Sequence, residues 1–382
     1  MITGVYFPEI NGAVLQCKQL ISNMCHSIHF TVLTGTDIEK YDGRDCVEGV
    51  SVTRVLMPKR HKINYIVGGI IFFISLIKML KKIDVVHIHG YSKRNAIAIL
   101  ISRFFGKKLV IKMSSYGLDD PMSVKESSLL YWRIFKLCHA YIGLSPGFSI
   151  SYEESKLPKY KYNLIPNSVN VEIFCPASEI ERKRLRDKYE FSQNDKVIIY
   201  VGHFSIEKQP MLLYKAFVSL CEHQPYLKII FIGQTKNNYE IDNDIIELIR
   251  KDALRRGIIH RIYFVEKTQH VNDYMKISDV FVMPSSREGM PNVVLEAMAS
   301  ALPCVVRLLP GVTDWLIDDE QTGVLFSSDN PSILAQKIFP YISEPIINKR
   351  IGISARKFIE NYFSSDATAK KVFDLYKKTL QL

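Results

Sequence analysis

Two glutamates eight residues apart, in the segment PSSREGMPNVVLEAMA at 284–299, are the side chains with the clearest potential for chemistry. The apolar run DVFVM ends just before this segment, and Glu288 lies in the polar turn that follows. Pro291 suits the first turn of a helix because its φ is fixed and it has no N–H group to leave unpaired. Glu296 then falls about a turn and a half into that helix.

Such a helix would present its N-terminus and two carboxylates to one ligand. Free N–H groups and the positive end of the helix dipole bind anions such as a diphosphate. Ionised carboxylates accept hydrogen bonds from vicinal hydroxyl groups. An ordinary helix with acidic residues near its N-terminus has the same spacing, so the sequence leaves both interpretations open.

The elements that must position these residues alternate in type along the chain. Short runs rich in β-branched residues alternate with helical stretches, as a doubly wound parallel sheet requires. Nearly continuous apolar runs indicate strands that are buried on both faces. Twelve strands are too many for one such sheet, so we expect two sheets. The predicted strands are 2–7, 28–34, 50–56, 83–89, 108–113, 140–144, 161–165, 196–201, 227–232, 261–265, 279–283 and 303–307.

A segment rich in Pro, Asn and Ser at 164–177 separates the two halves of the chain. We predict an α/β protein with Rossmann-like, doubly wound domains at 1–170 and 171–361, which face each other across a cleft. A C-terminal helix at about 362–382 can pack back on the first domain. Ligands of such sheets bind beyond the carboxyl ends of the strands, so the loops after strands are where chemistry is expected.

The composition is that of a soluble globular chain. Of 382 residues, 47% are hydrophobic and 23% are charged, which excludes wholesale disorder and a multispanning membrane protein. Seven cysteines without any C-x-x-C spacing argue against a disulfide framework or a structural zinc site and favour a reducing cytoplasm. No charged n-region and apolar h-region follow Met1, so we expect no secretory signal.

Positive charge is concentrated in the first half of the chain. Residues 1–170 carry 22 Lys and Arg against 12 Asp and Glu, and between Arg54 and Lys112 thirteen bases accompany one acid, Asp84. Such a field attracts phosphate-rich partners, including an anionic lipid surface. The apolar run YIVGGIIFFISLI at 65–77, followed by KMLKK, lies within this region. It is too short to span a bilayer, and both a core helix and a helix on the membrane surface remain open.

Two other motifs offer competing chemistry, and two further signatures are missing. Asp242-Asn243-Asp244 imitates a D-x-D metal motif but precedes a helical pattern, which favours a helix cap. His87-x-His89 could present two imidazoles on one side of a strand, without a nearby third zinc ligand. A Gly-x-Gly-x-x-Gly fingerprint is absent after every predicted strand, and Ser145 lacks a G-x-S-x-G elbow. Dinucleotide and serine-hydrolase chemistry are therefore disfavoured.

The segment at 284–299 resembles the E-x7-E signature of the retaining glycosyltransferases of family 4, glycosyl transferases group 1, which have the GT-B fold. Further blocks similar to that family run through most of the chain. They are YFPEINGA near the start, DVVHIHG at 84–90, LSPG at 144–147, IPNSVNVEIF at 165–174, YVGHFSIEKQP at 200–210 and PGVTDWLIDDEQTGVLF at 310–326.

The resemblance implies roles for individual residues. Glu296 would bind the ribose hydroxyls of the donor nucleotide, Glu288 would contact the donor sugar, and Lys208 would neutralise the diphosphate. With His89, which is equally open to a purely structural role, Glu288 and Lys208 form the predicted catalytic set. The predicted donor-binding residues are Gly12, Gly202, His203, Lys208, Arg287, Glu288, Gly289, Met290, Pro291, Asn292 and Glu296.

Several positions depart from the family pattern, and one of them changes the charge expected near the diphosphate. His203 stands where the family usually has arginine, so a permanent positive charge is replaced by a group that titrates near neutrality. Arg287 can compensate for that loss.

The resemblance implies a retaining glycosyltransferase that moves a sugar from a nucleotide-diphosphate donor, most simply a UDP-sugar. A glycan or lipid-linked acceptor of surface polysaccharide or glycoconjugate synthesis would bind to the basic first half. No general base, metal, cofactor or nucleic acid is expected. The predicted location is the cytoplasm, including the inner face of the cell membrane. The alternatives are a phosphorylase or sugar-nucleotide epimerase of the same fold, and a basic non-catalytic module that binds nucleotides or nucleic acid.

Overall fold

The computed structural model describes residues 1–9, 11–58, 60–234 and 243–381. Within these ranges the chain forms fourteen strands. They are β1 Ile2–Thr3, β2 Thr31–Thr36, β3 Gly43–Val47, β4 Val50–Leu56, β5 Val85–His89, β6 Lys108–Lys112, β7 Ala140–Gly143, β8 Tyr162–Leu164, β9 Lys196–Val201, β10 Leu227–Ile232, β11 Ile262–Val265, β12 Val280–Met283, β13 Cys304–Arg307 and β14 Val324–Phe326.

Helices separate most of these strands. In the same described ranges they are α1 Gly12–Met24, α2 Lys62–Leu80, α3 Lys93–Phe104, α4 Pro121–Ser127, α5 Leu129–Phe135, α6 Pro146–Glu154, α7 Glu179–Lys188, α8 Pro210–Cys221, α9 Asn243–Arg255, α10 Val271–Ile277, α11 Asn292–Ala299, α12 Pro331–Ser343, α13 Pro345–Tyr362 and α14 Ser365–Gln381.

The chain divides into two compact units. Unit 1 comprises Met1–Ser168 and Ser365–Leu382, and unit 2 comprises Val169–Ser364. The C-terminal helix α14 therefore belongs to the first unit, where it packs against α1 and β6. The hydroxyl oxygen of Tyr376 in α14 lies 2.5 Å from Nδ1 of His87 in β5.

Unit 2 contains a wholly parallel sheet in the order β11-β10-β9-β12-β13-β14. Counted from its first strand this order is 3-2-1-4-5-6, the arrangement of nucleotide-binding doubly wound sheets. The direction of winding reverses between β9 and β12. Ligands of such sheets bind at this switch point, outside the carboxyl ends of the two strands.

The sheet of unit 1 is also doubly wound, but one of its edge strands is antiparallel. Its sheet runs β3-β4-β2-β1-β5-β6-β7-β8, and all neighbours are parallel except β3, which is antiparallel to β4. Winding reverses between β1 and β5. The predicted fold class, two Rossmann-like domains, is confirmed.

Each of the twelve predicted strands is present, but three details differ. Strand β1 ends at Thr3 rather than residue 7, because the Thr3 hydroxyl donates to the Val5 carbonyl at 2.8 Å and Pro8 has no N–H to extend a ladder. Strands β3 and β14 were not predicted. The first is polar and almost wholly exposed at the sheet edge, and the second has only three residues.

Candidate active site

Two loops meet at the switch point of unit 2. One follows β9 and carries Lys208, and the other follows β12 and carries Glu288. Nζ of Lys208 donates to Oε1 of Glu288 across 2.7 Å, with side chains that are 22% and 15% exposed. Although 80 positions separate them, the fold joins two residues of the predicted catalytic set. Their partial exposure leaves both charges accessible to a ligand.

A second ion pair ties the same loops together. Nη2 of Arg287 lies 2.6 Å from Oε2 of Glu207. The backbone N–H of Ser286 also donates to the Glu207 carbonyl oxygen at 2.8 Å. The guanidinium that was expected to compensate for His203 is thus already paired with a carboxylate. Nothing in the sequence singles out Glu207, because an acidic residue beside the expected diphosphate lysine has no evident role until its partner is known.

A tight turn sets the direction of the Lys208 side chain. The N–H groups of Lys208 and Gln209 both donate to the Ser205 carbonyl oxygen, at 3.1 and 3.2 Å. Gln209 has a left-handed φ of 49°, after which Pro210 begins α8. A proline at the start of a helix sacrifices no intrahelical hydrogen bond, so the turn can end abruptly there.

Close backbone packing requires glycine at the end of β9. A Cβ atom on Gly202 would lie 2.9 Å from the hydroxyl oxygen of Tyr200, and a Cβ on Gly233 would overlap the Gly202 carbonyl oxygen. The buried Tyr200 hydroxyl donates to the His203 carbonyl oxygen at 2.7 Å. Burial raises the pKa of Tyr200 well above its usual value, and the nearby Glu288 adds to the shift, so this hydroxyl stays protonated. The backbone of Gly202 and His203 is therefore held in one place.

Helix α11 begins one residue later than its sequence predicts. Pro291 adopts extended backbone angles immediately before the helix, and Asn292 is the first helical residue. Gly289, Met290 and Pro291 are buried, whereas Asn292 is partly exposed. Burial of the three preceding residues fixes the turn that leads from Glu288 into the helix.

Glu296 lies on α11, more than one turn after Asn292. Burial raises the pKa of its carboxyl group from 4.5 to about 7. Within the described residues no hydrogen bond joins this carboxyl group to Lys208 or Glu288. The Glu296 carboxyl group is therefore separate from the ion pair at the switch point, and burial favours its protonated form relative to an exposed glutamate.

Arg307, which the sequence analysis missed, connects the two site loops to a third. Its side chain is almost wholly buried at the end of β13, where Nε donates to the Pro284 carbonyl oxygen at 2.9 Å. Nη2 lies 2.6 Å from Oε1 of Gln209 and 2.6 Å from Oδ1 of Asp329. The sequence does contain a signal for Arg307: it directly follows the apolar run CVV, at the carboxyl end of a buried strand.

The two predicted site residues of unit 1 lie at its own switch point. Gly12 is the first residue of α1, the helix that follows β1, and Asn11 caps it by accepting the Val14 N–H at 2.9 Å. His89 ends β5 and is paired in register with Lys112 of β6. The structure thus places both residues at the carboxyl edge of the unit 1 sheet.

His89 is buried and stacks on His87 with ring centroids 4.5 Å apart. Burial and the neighbouring Lys112 hold the pKa of His89 well below its usual value, so the imidazole is neutral. Burial also lowers the pKa of Lys112 to about 8. No hydrogen-bond partner for Nε2 of His89 occurs among the described residues. Stacking and neutrality are what a structural histidine shows, while the unsatisfied Nε2 leaves a group to interact with a ligand.

The metal motifs gain no support from the described residues. No cluster of three or more His, Cys, Asp or Glu side chains is found within them. Asp242 of the D-x-D motif lies outside the described residues, and Asp244 lies in the first turn of α9. The expectation that the protein uses no metal stays a prediction.

Comparison with protein families matches the second half of the chain. Residues 181–358, most of unit 2, match the family described as Glycosyl transferases group 1. This segment belongs to that family. It contains Lys208, Glu288 and Glu296, so the whole switch-point site lies within a group 1 domain.

Relatives extend the likeness across both units. A UDP-Gal:alpha-D-GlcNAc-diphosphoundecaprenol alpha-1,3-galactosyltransferase of Escherichia coli is 28% identical over 311 residues, covering 79% of this chain and 78% of the relative. An N-acetyl-alpha-D-glucosaminyl L-malate synthase of Bacillus anthracis is 21% identical over 303 residues, covering 79% and 76%. These likenesses support the glycosyltransferase class of enzyme.

Solved structures identify the fold. The crystal structure of Anabaena Alr3699/HepE in complex with UDP and glucose superposes with a TM-score of 0.77 at 16% identity, covering 98% of each chain. This likeness covers both sheets, and the fold is GT-B.

Proposed function

We propose that this protein is a retaining glycosyltransferase that uses a UDP-sugar. Unit 2 would bind the donor, and the basic unit 1 would bind a glycan or lipid-linked acceptor of surface polysaccharide or glycoconjugate synthesis. The observation that carries the proposal is the Lys208–Glu288 pair, held at 2.7 Å at the switch point of a nucleotide-binding sheet. Two similar proteins support a UDP-linked donor. The name of the Escherichia coli relative includes UDP-Gal, and the Anabaena protein was crystallised in complex with UDP and glucose.

The geometry suits departure of a nucleoside diphosphate. The bond from the anomeric carbon to the phosphate oxygen breaks, a bond from that carbon to the acceptor oxygen forms on the same face, and the leaving phosphate takes the acceptor proton. Negative charge grows on the diphosphate in the transition state, and the Lys208 ammonium is placed to stabilise it. Glu288 holds Lys208 in position and offers a carboxylate to the sugar hydroxyls.

Release of UDP from a UDP-sugar in the presence of acceptor tests the proposal. Lys208→Ala and Glu288→Gln should each lower turnover by at least ~100-fold with the fold preserved. The matched control is Lys276→Ala with Glu181→Gln, which removes an ion pair of nearly the same length, 2.8 Å, away from the site loops. Parental rates in both site variants would refute the assignment. Turnover only with inorganic phosphate would indicate a phosphorylase, and interconversion of nucleotide sugars would indicate an epimerase.

A further inference from the structure

Helix α2 in unit 1 is apolar on both its inner and its outer side. The inner side faces the sheet and repeats every fourth residue, through Gly68, Phe72, Leu76 and Leu80, all buried. The opposite side of the helix carries the outer line, four isoleucines spaced three or four residues apart, which lie on one face of a helix. The members of the outer line are Ile63, Ile66, Ile70 and Ile74, which are 77%, 63%, 56% and 46% exposed.

The neighbouring helix α3 also exposes apolar residues. Arg94 of α3 stacks over the Phe72 ring of α2, 4.8 Å from its centroid, so the two helices lie side by side. The outward residues of α3 follow the same spacing and are also exposed. They are Ile97, Leu100 and Phe104, the last 87% exposed. Exposed apolar residues on two adjacent helices indicate an interaction site.

Lysines border the outer line at both ends. Lys62 begins α2, Lys78 lies in its last turn, and Lys81 and Lys82 follow directly; all four are exposed. Long lysine side chains can lay their methylene groups along an apolar surface and keep the ammonium group in water. The rim therefore has the charge that is complementary to acidic lipid headgroups.

The inner side of α2 excludes the use of this helix as a membrane span. The run at 65–77 is too short to span a bilayer, but the whole helix α2, with 19 residues and a mean hydropathy of 2.0, is long and apolar enough to cross one. However, a Cβ atom on Gly68 would overlap the Leu56 carbonyl oxygen at the end of β4, so the helix lies directly against the sheet. Spanning would withdraw Phe72 and Leu76 from the core of unit 1.

We propose that α2 and α3 dock unit 1 on an anionic membrane, with α2 parallel to the surface and its outer line inserted among the lipid chains. Isoleucines at the headgroup boundary supply apolar attraction, and the lysine rim supplies electrostatic attraction that weakens with salt. The residues of this docking surface all belong to unit 1, whereas Lys208 and Glu288 belong to unit 2. The docking proposal can therefore be tested independently of the proposed glycosyl transfer.

A second copy of the chain is a less suitable occupant of this surface. A two-fold interface buries the same patch of both copies. The lysines that border the outer line would then meet the lysines of the other copy, and like charges at an interface disfavour association. Anionic lipid satisfies both the apolar centre and the positive rim.

Flotation of the full chain with lipid vesicles tests the proposal. We expect recovery with phosphatidylcholine vesicles that contain about 30 mol % phosphatidylglycerol at low salt, and much weaker recovery with phosphatidylcholine alone. Ile66→Ser with Ile70→Ser should reduce the vesicle-bound fraction at least tenfold. The matched control is Ile180→Ser with Ile346→Ser, two isoleucines of unit 2 that are 84% and 85% exposed.

The lysine rim is tested separately. Lys78→Gln, Lys81→Gln and Lys82→Gln together should abolish the preference for anionic vesicles. The same substitutions at three exposed lysines of unit 2, Lys183, Lys349 and Lys357, should leave it intact. Since every changed side chain is at the surface, thermal melts and the thermal shift produced by UDP should stay at parental values.

Three outcomes would overturn the docking surface. One is equal recovery with neutral and anionic vesicles, and another is parental flotation of the Ile66/Ile70 variant. The third is a dimer in light scattering that this variant dissociates, which would assign the surface to a second copy. A chain that binds vesicles but lacks transferase activity would refute the proposed function and leave the docking surface standing.

Discussion

In the Lys208–Glu288 pair, the ammonium group that we propose binds a diphosphate is already paired with a carboxylate. A ligand phosphate must compete with Glu288, which lies 2.7 Å from Nζ. The two residues should therefore separate binding from turnover. Removal of the carboxylate charge frees the lysine, whereas removal of the lysine deletes the cation that the diphosphate needs.

This competition gives a prediction for the two single variants. Glu288→Gln should bind UDP as tightly as the parent or up to about fivefold more tightly, because a partly exposed ion pair is worth about 1 kcal/mol. Its turnover should nevertheless fall by at least ~100-fold. Lys208→Ala should lose both UDP affinity and turnover. Calorimetric titration with UDP beside steady-state rates checks this, and equal weakening of UDP binding in both variants would contradict it.

If Glu296 binds the donor as proposed, its raised pKa makes donor binding depend on pH. Its pKa of about 7 in the folded chain lies above that of an exposed glutamate, so the folded state holds its proton more tightly. The contribution of the protonated Glu296 side chain to the free energy of unfolding is therefore present at low pH. It is lost as the pH rises from about 4.5 to about 7. If the ionised form accepts the ribose hydroxyls, UDP affinity should instead fall as the pH drops through about 7.

Glu296→Gln tests both consequences. The variant should be more stable than the parent at pH 8, by about 1 to 3 kcal/mol, and no more stable at pH 4.5. It should also bind UDP more weakly at pH 8 and lose the pH dependence of that affinity. Thermal melts and titrations across this range measure both. Glu344→Gln, at an exposed glutamate of unit 2, is the control and should change neither. A parental affinity profile in the Glu296 variant would exclude the ribose role.

At the scale of elements, the loop after β9 is supported by the start of the loop after β10. Gly233 lies so close to the Gly202 carbonyl oxygen that no side chain fits between them. Gly233→Ala should displace the loop that carries Lys208 and weaken UDP binding at least tenfold. Gly4→Ala, where a Cβ atom would meet no neighbour within 4 Å, is the control. UDP titration of both variants checks the prediction, and parental affinity in Gly233→Ala would show that the loop does not depend on this contact.

Strands and their loops could be predicted from the sequence because buried parallel strands are apolar on both faces. The runs at 196–201 and 227–232 have this pattern, and both are strands in the structure. The polar edge strand β3 and the three-residue β14 lack it, so no pattern revealed them. Apolar periodicity reports burial, and these two strands are defined mainly by backbone pairing.

The partners within the site could not be predicted in the same way. The pairing of Arg287 with Glu207 and the three contacts of Arg307 depend on loops that are distant in sequence and adjacent only after the sheet forms. Spacing within one segment carries no information about such contacts. For α2, the sequence left a core helix and a surface helix open, and the exposed outer line decides against an ordinary core helix.

At the scale of the whole molecule, the chain crosses between the two units twice. It leaves unit 1 after Ser168 and returns at Ser365, so α14 completes the unit in which the chain began. The sequence predicts boundaries at 170, from the segment rich in Pro, Asn and Ser and the elements that follow it, and at 361, before the C-terminal helix. The Tyr376 hydroxyl, 2.5 Å from His87 Nδ1, is a direct link between the returning helix and the sheet.

Tyr376→Phe should destabilise unit 1 without affecting the donor site. The substitution leaves the buried His87 Nδ1 without its partner, which costs about 1 to 3 kcal/mol. Tyr362→Phe, at a tyrosine that is largely exposed, is the control and should be neutral. Scanning calorimetry with and without UDP checks this. A lower unfolding temperature with an unchanged UDP shift is expected, and loss of the UDP shift would contradict the division of roles between the units.

A structure of the chain with UDP bound tests the central claim most directly. The account predicts a diphosphate at the carboxyl ends of β9 and β12, within hydrogen-bond distance of the Lys208 ammonium, and ribose hydroxyls on the Glu296 carboxyl group. UDP bound elsewhere, with the Lys208–Glu288 pair unchanged and no phosphate near the Lys208 ammonium, would contradict it.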